Sequence, residues 1–358
     1  MAGRRSVVAL ILLALALGAC AGADPSAIRG AIEAKKQEGK TTDVGVPPQP
    51  DLERTGRVGV SLATNSVGWE KTLGTAAVDG AVVLLVNPGS PAERAGIKRG
   101  DVITHIGGSV IRSDERARVG LRGRPGAPLR ITIARGETTM QIDVVPGPPV
   151  DVDFLKLVDA MLEKAPADAT SLLLRAQATD AVKDSITYVT RAINIAPDLI
   201  DALVFRARLF WVESLQVTND VVIKEDRDRA ADDYRQALEI DPDATTALRS
   251  RATGALEISD YDAAERDGLR AIGIDPTLPE AYLVVAAARY SLGRIRDSVG
   301  PAHEAIQLDP YNPSSYRLLA LAFVALGRSD DARKTVEVGL TVATDENQRA
   351  SLRAVVEE

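Results

Sequence analysis

Reactive and ring-bearing side chains are scarce in this sequence. There is a single cysteine, Cys20, and there are two histidines, His105 and His303, far apart in the chain. One cysteine excludes an intramolecular disulfide and a thiolate metal cluster. Two isolated histidines argue against a His-based site, so no metal is expected. Aromatic residues are only 4% of the chain, so the core must be packed by Ala, Leu, Val and Ile, which suits helices that cross closely. Positive charge is also short. Lys and Arg number 43 against 50 Asp and Glu, for a formal net charge of −7. That balance argues against a nucleic-acid partner. The apolar stretch Val7–Ala19 is 13 residues long, too short for a convincing spanning helix. No Gly-x-Ser-x-Gly elbow and no His-Glu-x-x-His occurs. Gly107-Gly108 and Gly120–Gly126 lack phosphate-loop spacing. The expectation is a protein without cofactor and without catalysis. Its 358 residues allow two or three domains.

What is present begins with an address. Arg4 and Arg5 give a positive start, the apolar stretch follows, and small residues lead to Cys20. Residues 1–19 therefore read as a secretory signal. Leu17-Gly18-Ala19-Cys20 resembles the bacterial lipobox. That resemblance implies cleavage before Cys20 and acylation of its thiol, palmitate-type chains holding the protein to a membrane of the bacterial cell envelope. Several acyl chains give stable anchoring where one would be marginal. Arg4-Arg5-Ser6-Val7-Val8 also resembles a twin-arginine export signal, so the export route stays open. Residues 20–54 read as a tether. Pro25–Glu38 is expected to hold a short helix, with Ile28 and Ile32 on one face. Lys40–Pro50 is polar and rich in Gly and Pro, an extended linker that spaces the folded part from the membrane.

From residue 55 to 148 short β runs alternate with turn signals. Strands are expected over Arg57–Leu62, Gly80–Val86, Asp101–Ile106, Leu129–Ala134 and Thr138–Val145. Ser90 through Gly96 has the marks of a compact helix: Ser90 as cap, Pro91 at the first position, Gly96 as left-handed terminator. A second helix is expected over Ser113–Leu121. The run from Asn87-Pro88-Gly89-Ser90-Pro91-Ala92-Glu93-Arg94-Ala95-Gly96 to Lys98-Arg99-Gly100-Asp101-Val102-Ile103, with Gly107-Gly108 after it, resembles bacterial PDZ domains. These occur in periplasmic trypsin-like proteases and in C-terminal processing proteases. The resemblance implies a small α+β, partly open β-barrel. It also implies capture of a C-terminal peptide by strand addition, with the carboxylate in a nest of backbone N–H groups. The matching loop and strand carry Arg57, Val58, Gly59 and Val60, and the facing helix carries Ala117 and Leu121. Asp114, Glu115, Arg116 and Arg118 make that helix more charged than an apolar wall.

After Val150 the β signals end and a repeat begins. Pro242, Pro276 and Pro310 stand 34 residues apart, each after a similar helix end: Ala237–Asp241, Ala271–Asp275 and Ala305–Asp309. Ala192–Ala196 before Pro197 is an earlier copy, 45 residues ahead of Pro242, which places an 11-residue insertion within Gln216–Arg229. Small residues recur 19 positions apart, as in Ala252 and Ala271, Ala286 and Ala305, Ala320 and Gly339. The period and the small residues resemble those of tetratricopeptide (TPR) repeats. The resemblance implies an all-α TPR solenoid over residues 151–358, in units Pro166–Leu199, Ile200–Ala244, Thr245–Leu278, Pro279–Asn312 and Pro313–Thr344. Asp153–Lys164 and Asp345–Glu358 cap the two ends. Such repeats line a groove with the first helix of each pair. By position the groove candidates are Arg208, Trp211, Arg249, Thr253, Leu283, Tyr290 and Arg317.

The expected protein is multidomain, a non-catalytic envelope lipoprotein that binds proteins. A C-terminal tail would enter the PDZ groove and a second partner the TPR groove. Two other readings stay open: a regulatory or substrate-delivery subunit of a separate envelope protease, and a structural spacer in envelope assembly. Replacing Cys20 with Ser should move the protein from the membrane to the soluble fraction, as read by immunoblot after fractionation. Retention in the membrane would contradict lipidation.

Overall fold

A computed structural model describes residues 44–54 and 56–357. The signal segment, Cys20 and the expected helix at Pro25–Glu38 lie outside the described residues. The described chain falls into two compact units. One runs from Glu53 to Ala247; the other joins residues through Leu52 to Leu248–Glu358.

The first unit opens with an antiparallel sheet. Its strands are β1 (Val60–Thr64), β2 (Ala81–Val86), β3 (Val102–Ile106), β4 (Ser109–Val110), β5 (Leu129–Arg135) and β6 (Thr138–Val144). They run in the order β1-β2-β3-β5-β6, with β4 hairpinned onto β3. The sheet is not closed, because β1 and β6 end it and do not pair with each other. Helices α1 (Val67–Leu73), α2 (Pro91–Arg94) and α3 (Asp114–Gly120) connect the strands. The inner faces of the strands meet α2 and α3 in a core of Val58, Val83, Ile97, Ile103, Ile131, Ile133 and Val144. Ser90 caps α2 as its sequence implies, its hydroxyl accepting the Glu93 amide. Asp101 is buried, and Arg135 neutralises it with Nε at 2.6 Å and Nη2 at 2.8 Å.

Helix α1 has no counterpart in the sequence reading. Ser66 opens it in extended conformation, and Gly74 ends it in the left-handed region, its N–H returning to the Glu70 carbonyl. This helix joins the sheet to the helices that follow: α4 (Phe154–Lys164), α5 (Ala169–Gln177), α6 (Val182–Ile195), α7 (Ile200–Gln216) and α8 (Asp220–Ile240). Trp69 is fully buried, and together with Ala63, Val82 and Leu84 it shares one core with Leu172, Leu199, Leu203 and Tyr234 of the repeats.

The 11-residue insertion is absorbed as helix. α7 has 17 residues and α8 has 21, against 13 and 14 in the later pairs, while the connecting turn stays short. Both members of the pair therefore lengthen together. Trp211, Phe210, Arg227 and Arg229 pack along this extension, with Arg227 5.4 Å above the Trp211 ring and Arg229 5.6 Å from Phe210.

The second unit continues the repeat with α9 (Thr245–Glu257), α10 (Tyr261–Ile274), α11 (Pro279–Ser291), α12 (Ile295–Leu308), α13 (Pro313–Ala325), α14 (Ser329–Val342) and α15 (Glu346–Glu357). The repeated Asp-Pro is a turn device. Asp275 ends α10 by donating its N–H to Ala271, and its carboxylate then accepts the Thr277 amide at 2.9 Å. Asp309 does the same for Tyr311 at 3.0 Å, and Asp241 for Asp243 at 2.9 Å. Proline fits between because it needs no N–H acceptor and cannot continue the helix. The 19-residue pairs of small side chains sit where helices cross. Ala252, Ala286, Ala305 and Ala320 are wholly buried, and a Cβ on Gly339 would stand 2.9 Å from the Tyr316 Cβ.

In the first unit the tightest backbone approach is at Gly68 of α1. A Cβ there would lie 2.3 Å from the Asp198 carbonyl oxygen in the turn between α6 and α7. Backbone cannot yield as a side chain can. Gly68→Ala is therefore expected to cost about 1–3 kcal/mol, seen as a lower midpoint in urea unfolding. An unchanged midpoint would show that α1 is not seated against the repeats.

Candidate protein-binding surfaces

The first candidate surface is the outer edge of β1. Among the described residues β1 pairs only with β2, and α3 stands along its other side. The loop leading into it carries Gly59 at φ +86°, a left-handed conformation that favours glycine. A Cβ at Gly59 would also fall 2.4 Å from the Ser90 Cβ. The Arg57 amide is spent on the Gly147 carbonyl at 2.7 Å, so a carboxylate nest here can draw only on the amides of Val58, Gly59 and Val60. Val58, Ala117 and Leu121 are buried in the domain core, and Val60 packs partly against it. These apolar groups set the spacing between β1 and α3.

Polar contacts cross that gap. The Thr64 hydroxyl donates to Asp114 Oδ1 at 2.8 Å and accepts the Asp114 amide at 3.2 Å, which pins the start of α3 to the end of β1. Arg118 Nη2 donates to the Leu62 carbonyl at 3.2 Å and pairs with Asp114 at 2.6 Å. The Leu62 carbonyl points to the outer edge of β1, where an added strand would bond, so one ladder position already has a partner. The Arg118 side chain is 62% exposed, so this cover can swing away without opening the core.

Behind α3 lies a buried acid. Asp201, in the first turn of α7, accepts the Trp69 indole N–H at 2.6 Å. Its carboxyl group is enclosed although the residue as a whole keeps some exposure. Burial is the main reason its pKa is pushed up to about 7; the Asp114 carboxylate adds to the effect, while the Trp69 N–H and Arg118 oppose it. Two ion pairs flank this contact. Lys71 meets Asp198, and Arg99 forks onto both oxygens of Asp168 at 2.7 and 2.9 Å. Burial works to raise the Asp168 pKa, but Arg99 and Ser171 outweigh it and hold the carboxyl below its usual range.

The repeat candidates divide between the two units. Arg208 and Trp211 lie half-buried on α7 of the first. In the second, Arg249 of α9 pairs with Glu280 of α11, and the Thr253 hydroxyl returns to the Arg249 carbonyl at 3.1 Å. Tyr290 is 8% exposed and belongs to the core, with Leu283 packed beside it. Arg317 is half-buried on α13, and its Nε has no hydrogen-bond partner among the described residues. Sequence reasoning misses Trp69 and Asp201, and reads Arg118 only as one of the charges on the groove helix. Among the described residues no cluster of His, Cys, Asp or Glu could hold a metal ion, and no helix is long and apolar enough to cross a membrane.

Comparison with known proteins settles the first fold. The PDZ domain family matches residues 82–135. This part of the chain is a PDZ domain. It is 37% identical over 81 residues to a putative serine protease of Synechocystis, HhoB, and 35% identical over 81 residues to a probable periplasmic serine endoprotease, DegP-like, of Rhizobium meliloti. Each match covers 22% of this chain, and 19% and 16% of those proteins, so the chain shares under a fifth of their length. The shared part is the PDZ segment. The helical part is similar in structure to a thermophilic TPR protein of Thermus thermophilus, at 16% identity over 57% of this chain and 97% of that one, with a TM-score of 0.43. A tetratricopeptide repeat protein from Parabacteroides merdae gives 19% identity over 57% and 77%, also with a TM-score of 0.43. A PDZ domain joined to TPR-type repeats is a combination suited to binding proteins.

The Asp201 carboxyl makes a pH prediction. With its pKa raised to about 7, folding takes up a proton between about pH 4 and pH 7, so stability falls as pH rises through that window. Asp201→Asn keeps an acceptor for Trp69 and removes the charge. Its stability advantage over the parent should grow by about 1–3 kcal/mol between pH 5 and pH 8, as measured by urea unfolding. A difference independent of pH would contradict the buried, protonated acid.

Proposed function

We propose that this chain is a non-catalytic adaptor of the bacterial cell envelope, held to a membrane by lipid on Cys20. Its PDZ groove takes an extended C-terminal peptide by strand addition to β1, and its repeats hold a second protein. The observation that supports this most is the outer edge of β1, which leads out of a left-handed Gly59 loop and faces a helix. A peptide entering there displaces Arg118 from the Leu62 carbonyl, and the guanidinium keeps its partner Asp114 while it does so. Main-chain hydrogen bonds supply the affinity, and the amides of the Gly59 loop meet the terminal carboxylate. The envelope location draws on the signal and lipobox reading and on the name of the Rhizobium relative, a periplasmic endoprotease. The relatives are named as proteases, but what this chain shares with them is the PDZ part.

A second reading has one observation in its favour. A PDZ domain similar to those of serine proteases could serve beside such an enzyme, so that the chain delivers substrates to it. Both readings need the same groove, and differ in whether the second partner is a protease.

Binding of a fluorescent C-terminal peptide library to the protein tests the groove. Peptides with a free carboxylate should bind at least tenfold more tightly than their amidated copies. Arg118→Ala should raise affinity a few-fold by freeing the Leu62 carbonyl. Equal binding of free and amidated peptides would remove the carboxylate nest, and weaker binding by Arg118→Ala would make Arg118 a ligand contact instead of a cover.

A further inference from the structure

The linker ahead of the PDZ domain is seated on the repeats of the second unit. Residues 44–50 form no helix or strand, yet Pro47 is buried and Val44 packs against the core of these repeats. Two hydrogen bonds hold the segment by its backbone. Arg328 Nη2 donates to the Val44 carbonyl at 3.1 Å, and the Tyr311 hydroxyl donates to the Asp51 carbonyl at 3.0 Å. Tyr311 lies in the turn before α13 and Arg328 in the turn after it. The 13 residues of α13 span roughly 20 Å at 1.5 Å each. Seven residue steps from Val44 to Asp51 span roughly 22 Å at the extended, proline-rich rise of about 3.1 Å. The lengths are comparable, and the two contacts give the segment a direction antiparallel to α13.

The receiving side is built for this. The Arg328 guanidinium lies 4.3 Å above the Phe323 ring, and its Nε is fixed by Asp331 at 2.7 Å. Stacking and the ion pair together orient the remaining N–H groups before any peptide arrives. The two hydrogen bonds are made to backbone carbonyls of the linker, and Val44 adds an apolar contact. α13 is the first helix of its repeat, the type of helix that lines a TPR groove.

We propose that Val44–Pro50, together with the Asp51 carbonyl, is a built-in ligand of the last repeat, and that a partner segment that is extended, apolar and bears proline binds there by displacing it. This goes beyond the PDZ reading and does not depend on it. An intramolecular occupant at an effective concentration in the millimolar range keeps weak or mismatched segments out. It admits those that bind better. Displacement also frees the linker that joins the anchor to the PDZ domain.

Two measurements on the full chain carrying Cys20→Ser test this. With its only native thiol removed, the chain takes Pro47→Cys or Pro48→Cys as a single reactive probe. Pro47 is buried and Pro48 exposed, so Pro47→Cys should react with a thiol reagent at least tenfold more slowly. Adding Arg328→Ala, or the milder Tyr311→Phe, should narrow that gap. Equal rates at the two positions would overturn the docking. Second, a labelled synthetic peptide of residues 44–51 should bind the Val44→Asp, Pro47→Asp double variant at least tenfold more tightly than it binds the chain with its own linker intact. Equal binding to both, or no binding to the double variant, would overturn the claim that the linker is a displaceable ligand. A failure of the PDZ peptide test would leave both results unaffected.

Discussion

The first unit depends on one contact: the Trp69 indole N–H on the Asp201 carboxyl, at the point where α1 meets the α6–α7 turn. Without it the PDZ sheet would have a large buried ring with no polar partner, and the enclosed acid on α7 would lose its indole donor. Such groups are costly to leave unmade. Gly68 allows the backbones to approach, Trp69 fills the space, and Lys71 closes the rim on Asp198. The result is a single hydrophobic core that runs from Val82 and Leu84 of β2 into Leu199 and Leu203 of α7. A PDZ domain on a flexible string would need none of this.

That contact also reaches the candidate groove. Asp201 faces Asp114 and Arg118 on α3, the helix opposite the β1 edge. Asp114 in turn is bonded to Thr64, and Arg118 to Leu62, both on β1. The helix that would face a bound peptide is thus backed by a residue of the repeats. In the second unit the linker lies along α13, as an extended peptide would. In both places the chain meets its own backbone carbonyl with an arginine: Leu62 with Arg118, and Val44 with Arg328.

Much of the fold was legible because its signals are local. Ser90, Pro91 and Gly96 mark a helix by capping chemistry alone, and the 34-residue spacing of Asp-Pro marks repeats by turn chemistry alone. The position of the insertion could be read from the broken period, but its helical form depended on both α7 and α8 gaining length together. Helix α1 escaped notice because seven residues carry almost no periodic pattern; Ser66 and Gly74 were the available signals. The groove was harder still. Val58 belongs to the loop that resembles the PDZ carboxylate loop, Ala117 and Leu121 to the apolar face of the facing helix, and all three are buried in the core. Arg118, Asp201 and Arg328 matter through partners 56, 132 and 284 residues away, respectively Leu62, Trp69 and Val44, and no local pattern encodes such distances.

The central claim is that the PDZ domain and the repeats that follow it in the first unit fold as one body through α1. Native-state hydrogen exchange tests it most directly. The slowest amides of β2 and of α7 should open with the same free energy and respond equally to added urea. If the β2 amides exchange through an opening of their own that leaves α7 protected, the two parts are separate domains and the account fails.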